Sequence, residues 1–228
     1  MGSLIAACLL FLAIHGVVSG TRLRDAITAR IGERAYLAGF SAASLALLVW
    51  MAIAYGRAPY FVLWPLTSGL RHLAILFAFV GVALAVLGLA TPNPTAVRQD
   101  ALLKREGAAN GILRVTRHPF MWGVVLWAIG HMLANGDVAS LLLFGSLFLL
   151  ALFGPLQIDA KRRRRDPEGW QRFAAETSWL PFLAVAQGRT RLALGEIGWI
   201  RLVIALAVAA IFLFYLHRAL FGVSPLPA

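Results

Sequence analysis

Two histidines, His15 and His131, stand inside apolar runs, where an ionisable group is costly and asks for a reason. His15 belongs to Ile14-His15-Gly16-Val17-Val18-Ser19-Gly20, whose small residues would let another helix or a flat ligand come close. His131 belongs to a row spaced four residues apart, Gly123, Trp127, His131 and Asn135. There Gly123 would leave space, Trp127 would offer an aromatic face and the imidazole could supply a metal ligand. A neutral imidazole is a common ligand for haem iron, and bundle interiors hold such cofactors. The competing reading is polar glue, a buried histidine hydrogen-bonded to a neighbouring helix. Spacing alone leaves both open. His72 and His217, each beside an arginine at the edge of an apolar run, read as interfacial residues.

A third feature is Thr116-Arg117-His118-Pro119-Phe120-Met121-Trp122-Gly123. Proline suits the first position of a helix, so Thr116 to His118 would lie at its start. Free N–H groups there, with Arg117 and Arg114, make a cradle for a phosphate, a carboxylate or a haem propionate. The alternative is a capped helix with basic residues held at the interface. Lys161–Arg165 reads as a stop-transfer and lipid-contact cluster. Cys8, the single cysteine, has no partner for an internal disulfide, and no zinc-finger or c-type haem spacing occurs.

The elements that must position these residues are membrane helices. Of 228 residues 60% are hydrophobic and 14% charged, well below the charged fraction of a soluble domain. Five apolar runs are long enough to span a bilayer, at about 3–20, 35–55, 73–90, 138–157 and 200–216. A sixth, about 117–135, is short and pairs with the run after it through Gly136-Asp137. The expectation is a single all-α membrane domain over 1–228, a bundle of about six transmembrane helices with short loops. A short amphipathic helix over 166–179, with Trp170, Phe173 and Ala174 on one side, would lie on the membrane surface. Gly107 to Gly111 reads as a turn before the fourth span.

No Lys or Arg precedes the first run whereas Arg22 and Arg24 follow it, so that run reads as an anchor and not a cleaved signal peptide. The loops after runs one, three and five hold 18 of the 21 Lys and Arg residues; Arg57, Arg71 and Arg218 are on the other side. The positive-inside rule places the rich side in the cytoplasm and both termini outside, periplasmic in a bacterial inner membrane. The formal charge of +11 therefore speaks of topology and anionic lipid, not of nucleic acid.

The chain resembles the NnrU family of membrane proteins, named for a role in nitric oxide and nitrite metabolism in denitrifying bacteria. The resemblance rests on His15-Gly16…Ser19-Gly20…Arg22, on Thr116-Arg117-His118-Pro119 and on Trp127…His131…Leu133-Ala134-Asn135-Gly136-Asp137. The plant and cyanobacterial 15-cis-zeta-carotene isomerase looks like a relative of this family. That membrane enzyme uses b-type haem with histidine axial ligands and isomerises a double bond without net redox change. The resemblance implies His15 and His131 as iron ligands, and the helix start at Thr116, Arg117 and His118, with the Trp127 face, would then bind the cofactor. The Arg-His-Pro element is also similar to that of isoprenylcysteine and phospholipid methyltransferases, which use S-adenosylmethionine. Their paired glutamates are absent from the matching stretch Gln157-Ile158-Asp159-Ala160-Lys161.

Depth supplies a conflict within this reading. His131 is thirteen residues beyond His118, roughly 20 Å deeper, whereas His15 lies a few residues from the cytoplasmic end of its span. If the two depths do not converge, His15 with His118 is the better-matched pair. The expected function is haem-dependent, in nitrogen-oxide metabolism or in isomerase-like chemistry on an apolar substrate, with an apolar small molecule or nitric oxide as ligand. Methyl transfer and a non-enzymatic assembly factor for nitrogen-oxide reduction are the alternatives.

Overall fold

The computed structural model describes residues 1–226, and among them the regular structure is helical, with one isolated bridge between Val62 and Asp137. The helices are α1 (Gly2–Ala13, continued by a π-helical turn Ile14–Ser19), α2 (Leu23–Ile31), α3 (Glu33–Gly56), α4 (Ser68–Ala90), α5 (Pro119–Asn135) and α6 (Val138–Arg165). They are followed by α7 (Pro167–Glu176), two single turns α8 (Leu183–Ala186) and α9 (Leu194–Ile197), and α10 (Trp199–Ile211, continued through Phe221). This is an all-α membrane bundle. Five helices are long and apolar enough to cross a bilayer: Gly2–Ser19, Glu33–Gly56, Ser68–Ala90, Val138–Arg165 and Trp199–Phe221. Large apolar side chains such as Leu9, Leu45, Ile53, Leu76, Ile204 and Phe214 are exposed on them, as a lipid-facing surface requires.

The chain divides into two compact units, residues 1–74 with 128–157 and residues 75–127 with 158–228. In the first, α1 and α6 run parallel. Cys8 Sγ donates to the Leu142 carbonyl at 3.5 Å, and the Gln157 side chain donates to the Gly16 carbonyl at 3.2 Å. Gly20 admits Gln157 so closely that a Cβ there would overlap its amide. At the other end Trp50 Nε1 donates to Ser3 Oγ at 2.9 Å, and Tyr55 shares a 2.8 Å hydrogen bond with Ser140.

Asp137 begins α6 as an N-cap, accepting from the Ser140 amide at 3.0 Å. The loop after α3 docks on this same turn. Val138 N donates to Phe61 O at 3.0 Å, Leu63 N to Gly136 O at 2.7 Å, and Trp64 Nε1 to Leu133 O at 3.3 Å. The α3–α4 connection and the α5–α6 turn thus lie at one end of the unit. Because α4 leaves that end, α5 must return the chain to it. Its 17 residues rise about 26 Å, just under the hydrocarbon thickness.

In the second unit the core gathers Leu87, Leu103, Leu113, Trp170, Phe173 and Ala205. Asp166 caps α7 through the Gly169 amide at 2.9 Å, and Pro167 opens that helix. The structure corrects one expectation here and refines another. Trp170 and Phe173 face the unit's own core, not the bilayer surface, because Leu103 and Leu113 offer a drier surface than head groups do. And α6 continues through Lys161–Arg165, where Arg162 is buried with its Nη2 on the Ala96 carbonyl at 2.6 Å, while Arg163 and Arg164 stay exposed. The predicted turn at Gly107 and Gly111 is present, both with positive φ.

Candidate functional site

Pro119 opens α5 as its first residue, and Thr116, Arg117 and His118 lie at its start as the sequence requires. The anion they meet, however, comes from within the chain. Arg117 Nε and Nη2 both donate to Asp159 Oδ2, at 2.8 and 2.6 Å, and Nη1 donates to the Thr177 carbonyl at 3.3 Å. The guanidinium carbon also sits 5.2 Å from the centre of the Trp170 ring. His118, 3% exposed, lies with Nε2 2.7 Å from Asp159 Oδ1. A carboxylate only accepts, so the imidazole carries its proton on Nε2.

Backbone groups close the arrangement. Arg117 N donates to Ser178 O at 2.9 Å, and Asn93 Nδ2 and Thr95 Oγ1 both reach the Arg117 carbonyl at 3.0 Å. Thr116 Oγ1 donates to Trp179 O at 2.8 Å and accepts from the His118 amide at 3.3 Å. The supposed cradle is a clasp that ties the 93–95 segment after α4, the start of α5, the end of α6 and the 177–179 segment together.

Sequence reasoning missed Asp159, although a signal existed. It is the one carboxylate within the long run 138–165, and a lone acid in a membrane helix asks for a cationic partner. Nearby, the Arg114 guanidinium at 2.7 Å and the Gly111 amide hold the Glu196 carboxyl below the ordinary glutamate range.

Gly123 and Trp127 also differ from expectation. The space at Gly123 is filled by the backbone of α4, Gly81 O and Ala85 N, and the Trp127 backbone lies on Gly81. The four-residue row is real as a helix face, but its Gly123 end is a helix–helix contact with no room for a flat ligand.

The two remaining candidates, His15 and His131, fall in the first unit. His15 lies in the π-helical turn, a distortion common at functional sites, though α10 has one as well at Phe212–Leu216. Its Nδ1 is 2.8 Å from the Phe11 carbonyl, and its ring lies between Phe11 at 4.3 Å and Phe40 at 5.0 Å. With Nδ1 donating to a carbonyl, Nε2 has the free lone pair that a metal ligand needs. His72 and His217 make similar Nδ1 contacts to carbonyls, so this bond orients the ring without marking a site.

The His131 ring lies 4.6 Å from the Phe144 ring, and its carbonyl accepts from Asn135. Along α6, Phe144 beside the His131 ring is two residues beyond Leu142, whose carbonyl accepts from Cys8, and thirteen before Gln157, whose side chain donates to the Gly16 carbonyl. One iron would need both nitrogens about 2 Å away. The His15 ring is set by Phe11 and Phe40 and the His131 ring by Phe144, so each has aromatic partners of its own. No group of three or more His, Cys, Asp or Glu side chains that could hold a metal ion occurs among the described residues.

A family model described as NnrU protein matches residues 3–225. The chain belongs to the NnrU family. It is 28% identical over 188 residues to the chloroplastic 15-cis-zeta-carotene isomerase of Zea mays, covering 81% of this chain and 50% of that protein. It is 30% identical over 187 residues to the Arabidopsis thaliana enzyme of the same name, covering 79% of this chain and 49% of that protein. This NnrU-family chain thus spans about half the length of the curated relatives it matches. No solved structure matches it significantly.

Proposed function

We propose that this NnrU-family protein is a membrane-embedded isomerase acting on a carbon–carbon double bond of a long apolar substrate, with b-type haem held at His15. The observation that carries the reading is the similarity, over about four fifths of the chain, to two enzymes named as 15-cis-zeta-carotene isomerases. Bound haem would supply an iron able to interact with an alkene or to change spin and oxidation state. The chain's own part is to fix the imidazole through the Phe11 carbonyl and to wall it with Phe11 and Phe40. A membrane-spanning bundle keeps water from an apolar substrate. Methyl transfer is not proposed, because Arg117 and His118 are both engaged by Asp159.

The test is an absorption spectrum of detergent-purified protein, paired with chromatography of 15-cis-zeta-carotene incubated with it under reducing conditions. The wild type should show a Soret band and convert the 15-cis isomer. His15→Ala should lose both, and His131→Ala should keep the band. Loss of the band in His131→Ala would add His131 as a second ligand. A haem band that responds to nitric oxide without any isomerisation would instead favour the nitrogen-oxide role, and no haem at all would favour an assembly factor.

The same reading places the Arg-rich loops in the cytoplasm of a bacterial inner membrane and both termini in the periplasm, on the 18-to-3 division of basic residues. Reporter fusions after Gly136 should be active outside and those after Arg165 inside. The reverse pair of results would reject this orientation.

A further inference from the structure

Beside His15, two buried donors have no acceptor in the chain. Tyr36 is 5% exposed and Arg24 6%, yet neither Tyr36 Oη nor Arg24 Nη1 has a hydrogen-bond partner. Arg24 Nη2 is satisfied by Glu33 Oε1 at 2.9 Å, while the Asp25 carboxylate stands 3.7 Å from Nη1, beyond hydrogen-bond reach. A buried donor left unmade is unfavourable, and more so on a cation. Two of them on touching residues call for a shared acceptor.

The residues form one continuous column. Arg24 Cζ lies 5.2 Å from the centre of the Tyr36 ring, Tyr36 stacks on Phe40 at 5.8 Å, and Phe40 meets His15 at 5.0 Å. The polar end of this column belongs to the segment 22–34, which has four arginines against Asp25 and Glu33, so its surplus charge is positive. Its other end is aromatic and lies within the apolar helix α1. A cationic end and an aromatic flank together suit an amphipathic molecule with an acidic head.

We propose that Arg24 and Tyr36 jointly bind one carboxylate or phosphate group of an amphipathic ligand whose apolar body lies along Phe40 and His15. A carboxylate or phosphate has at least two oxygens, enough to accept from both donors at once. Two sources share that chemistry, an anionic lipid head group and the propionate of a porphyrin. Only the second rests on the haem reading given above.

The experiment titrates the detergent-purified protein with two pairs of probes. Phosphatidylglycerol is compared with diacylglycerol by native mass spectrometry, and haemin with haemin dimethyl ester by absorbance. The anionic member of at least one pair should bind the wild type about tenfold more tightly than its neutral counterpart, as for a hydrogen bond to a charged group. Tyr36→Phe and Arg24→Gln should each remove that preference. A lipid ligand is recognised by the first pair and a porphyrin by the second. A phosphatidylglycerol preference that persists when neither haemin compound binds would retain this site while removing haem from the functional reading. If Tyr36→Phe binds both anionic probes within twofold of wild type, the proposal is overturned, whatever happens to Arg24→Gln. Tyr36→Phe removes one oxygen and keeps the ring stack, so a folding defect does not obscure that result.

Discussion

Arg117→Ala is expected to lower stability by about 3–5 kcal/mol, because it leaves the Asp159 carboxylate buried without its cation. Both side chains are mostly enclosed, at 15% and 10% exposure, so solvent does little to screen the loss. His118 cannot replace the guanidinium. A neutral imidazole donates one hydrogen bond, whereas Arg117 supplies two to the same oxygen and a full charge. Thermal unfolding of the purified protein in detergent measures the effect. Arg163→Ala, an exposed position on the same helix as Asp159, should stay within about 0.5 kcal/mol of wild type.

The double variant Arg117→Ala/Asp159→Ala should be less destabilised than the two single losses added together, since it removes both charges at once. A single Arg117→Ala loss under 1 kcal/mol would show that the clasp does not form. The two readings of this element separate here as well. A ligand cradle would lose cofactor at unchanged stability, whereas a clasp loses cofactor only in step with unfolding.

Much of this was legible in advance, for reasons that can be named. The helices of the bundle follow from apolar length, because an open backbone has no partner in lipid, and Pro119 fixed the start of α5 through its missing N–H. The Gly136-Asp137 hairpin was readable from a break of only two residues. Less readable were partners distant in sequence. Arg117 and Asp159 are 42 positions apart, and a run of positive charge gives no sign of which arginine turns inward. Arg162 pairs inward while its neighbours Arg163 and Arg164 remain exposed, a difference set by the phase of α6 against the loop at Ala96. The relative depth of His15 and His131 was open for the same reason. It depends on the register of α1 against α6, which Cys8 on Leu142 and Gln157 on Gly16 set, and neither contact has a signature in composition.

The glycines divide along similar lines, and two of them give the second large effect. Gly123 and Gly81 face each other where α4 and α5 touch. A Cβ on Gly123 would lie 2.5 Å from Ala85 N and 2.6 Å from Gly81 O, and one on Gly81 would lie 2.6 Å from Trp127 N. Those neighbours are backbone atoms, so no rotamer change relieves the overlap and the helices themselves must part. Close approach of backbones at small residues is a main source of helix association in lipid, where no hydrophobic force separates helix from solvent. Gly123→Leu should therefore cost about 3 kcal/mol or more, at or beyond the upper end of ordinary overpacking. Gly39 in α3 has nothing within 4 Å of its Cβ position, so Gly39→Ala there should gain up to about 1 kcal/mol from helix propensity. Thermal unfolding of the two variants side by side should move in opposite directions. A Gly123→Leu protein as stable as wild type would mean that α4 and α5 do not pack backbone to backbone at this point.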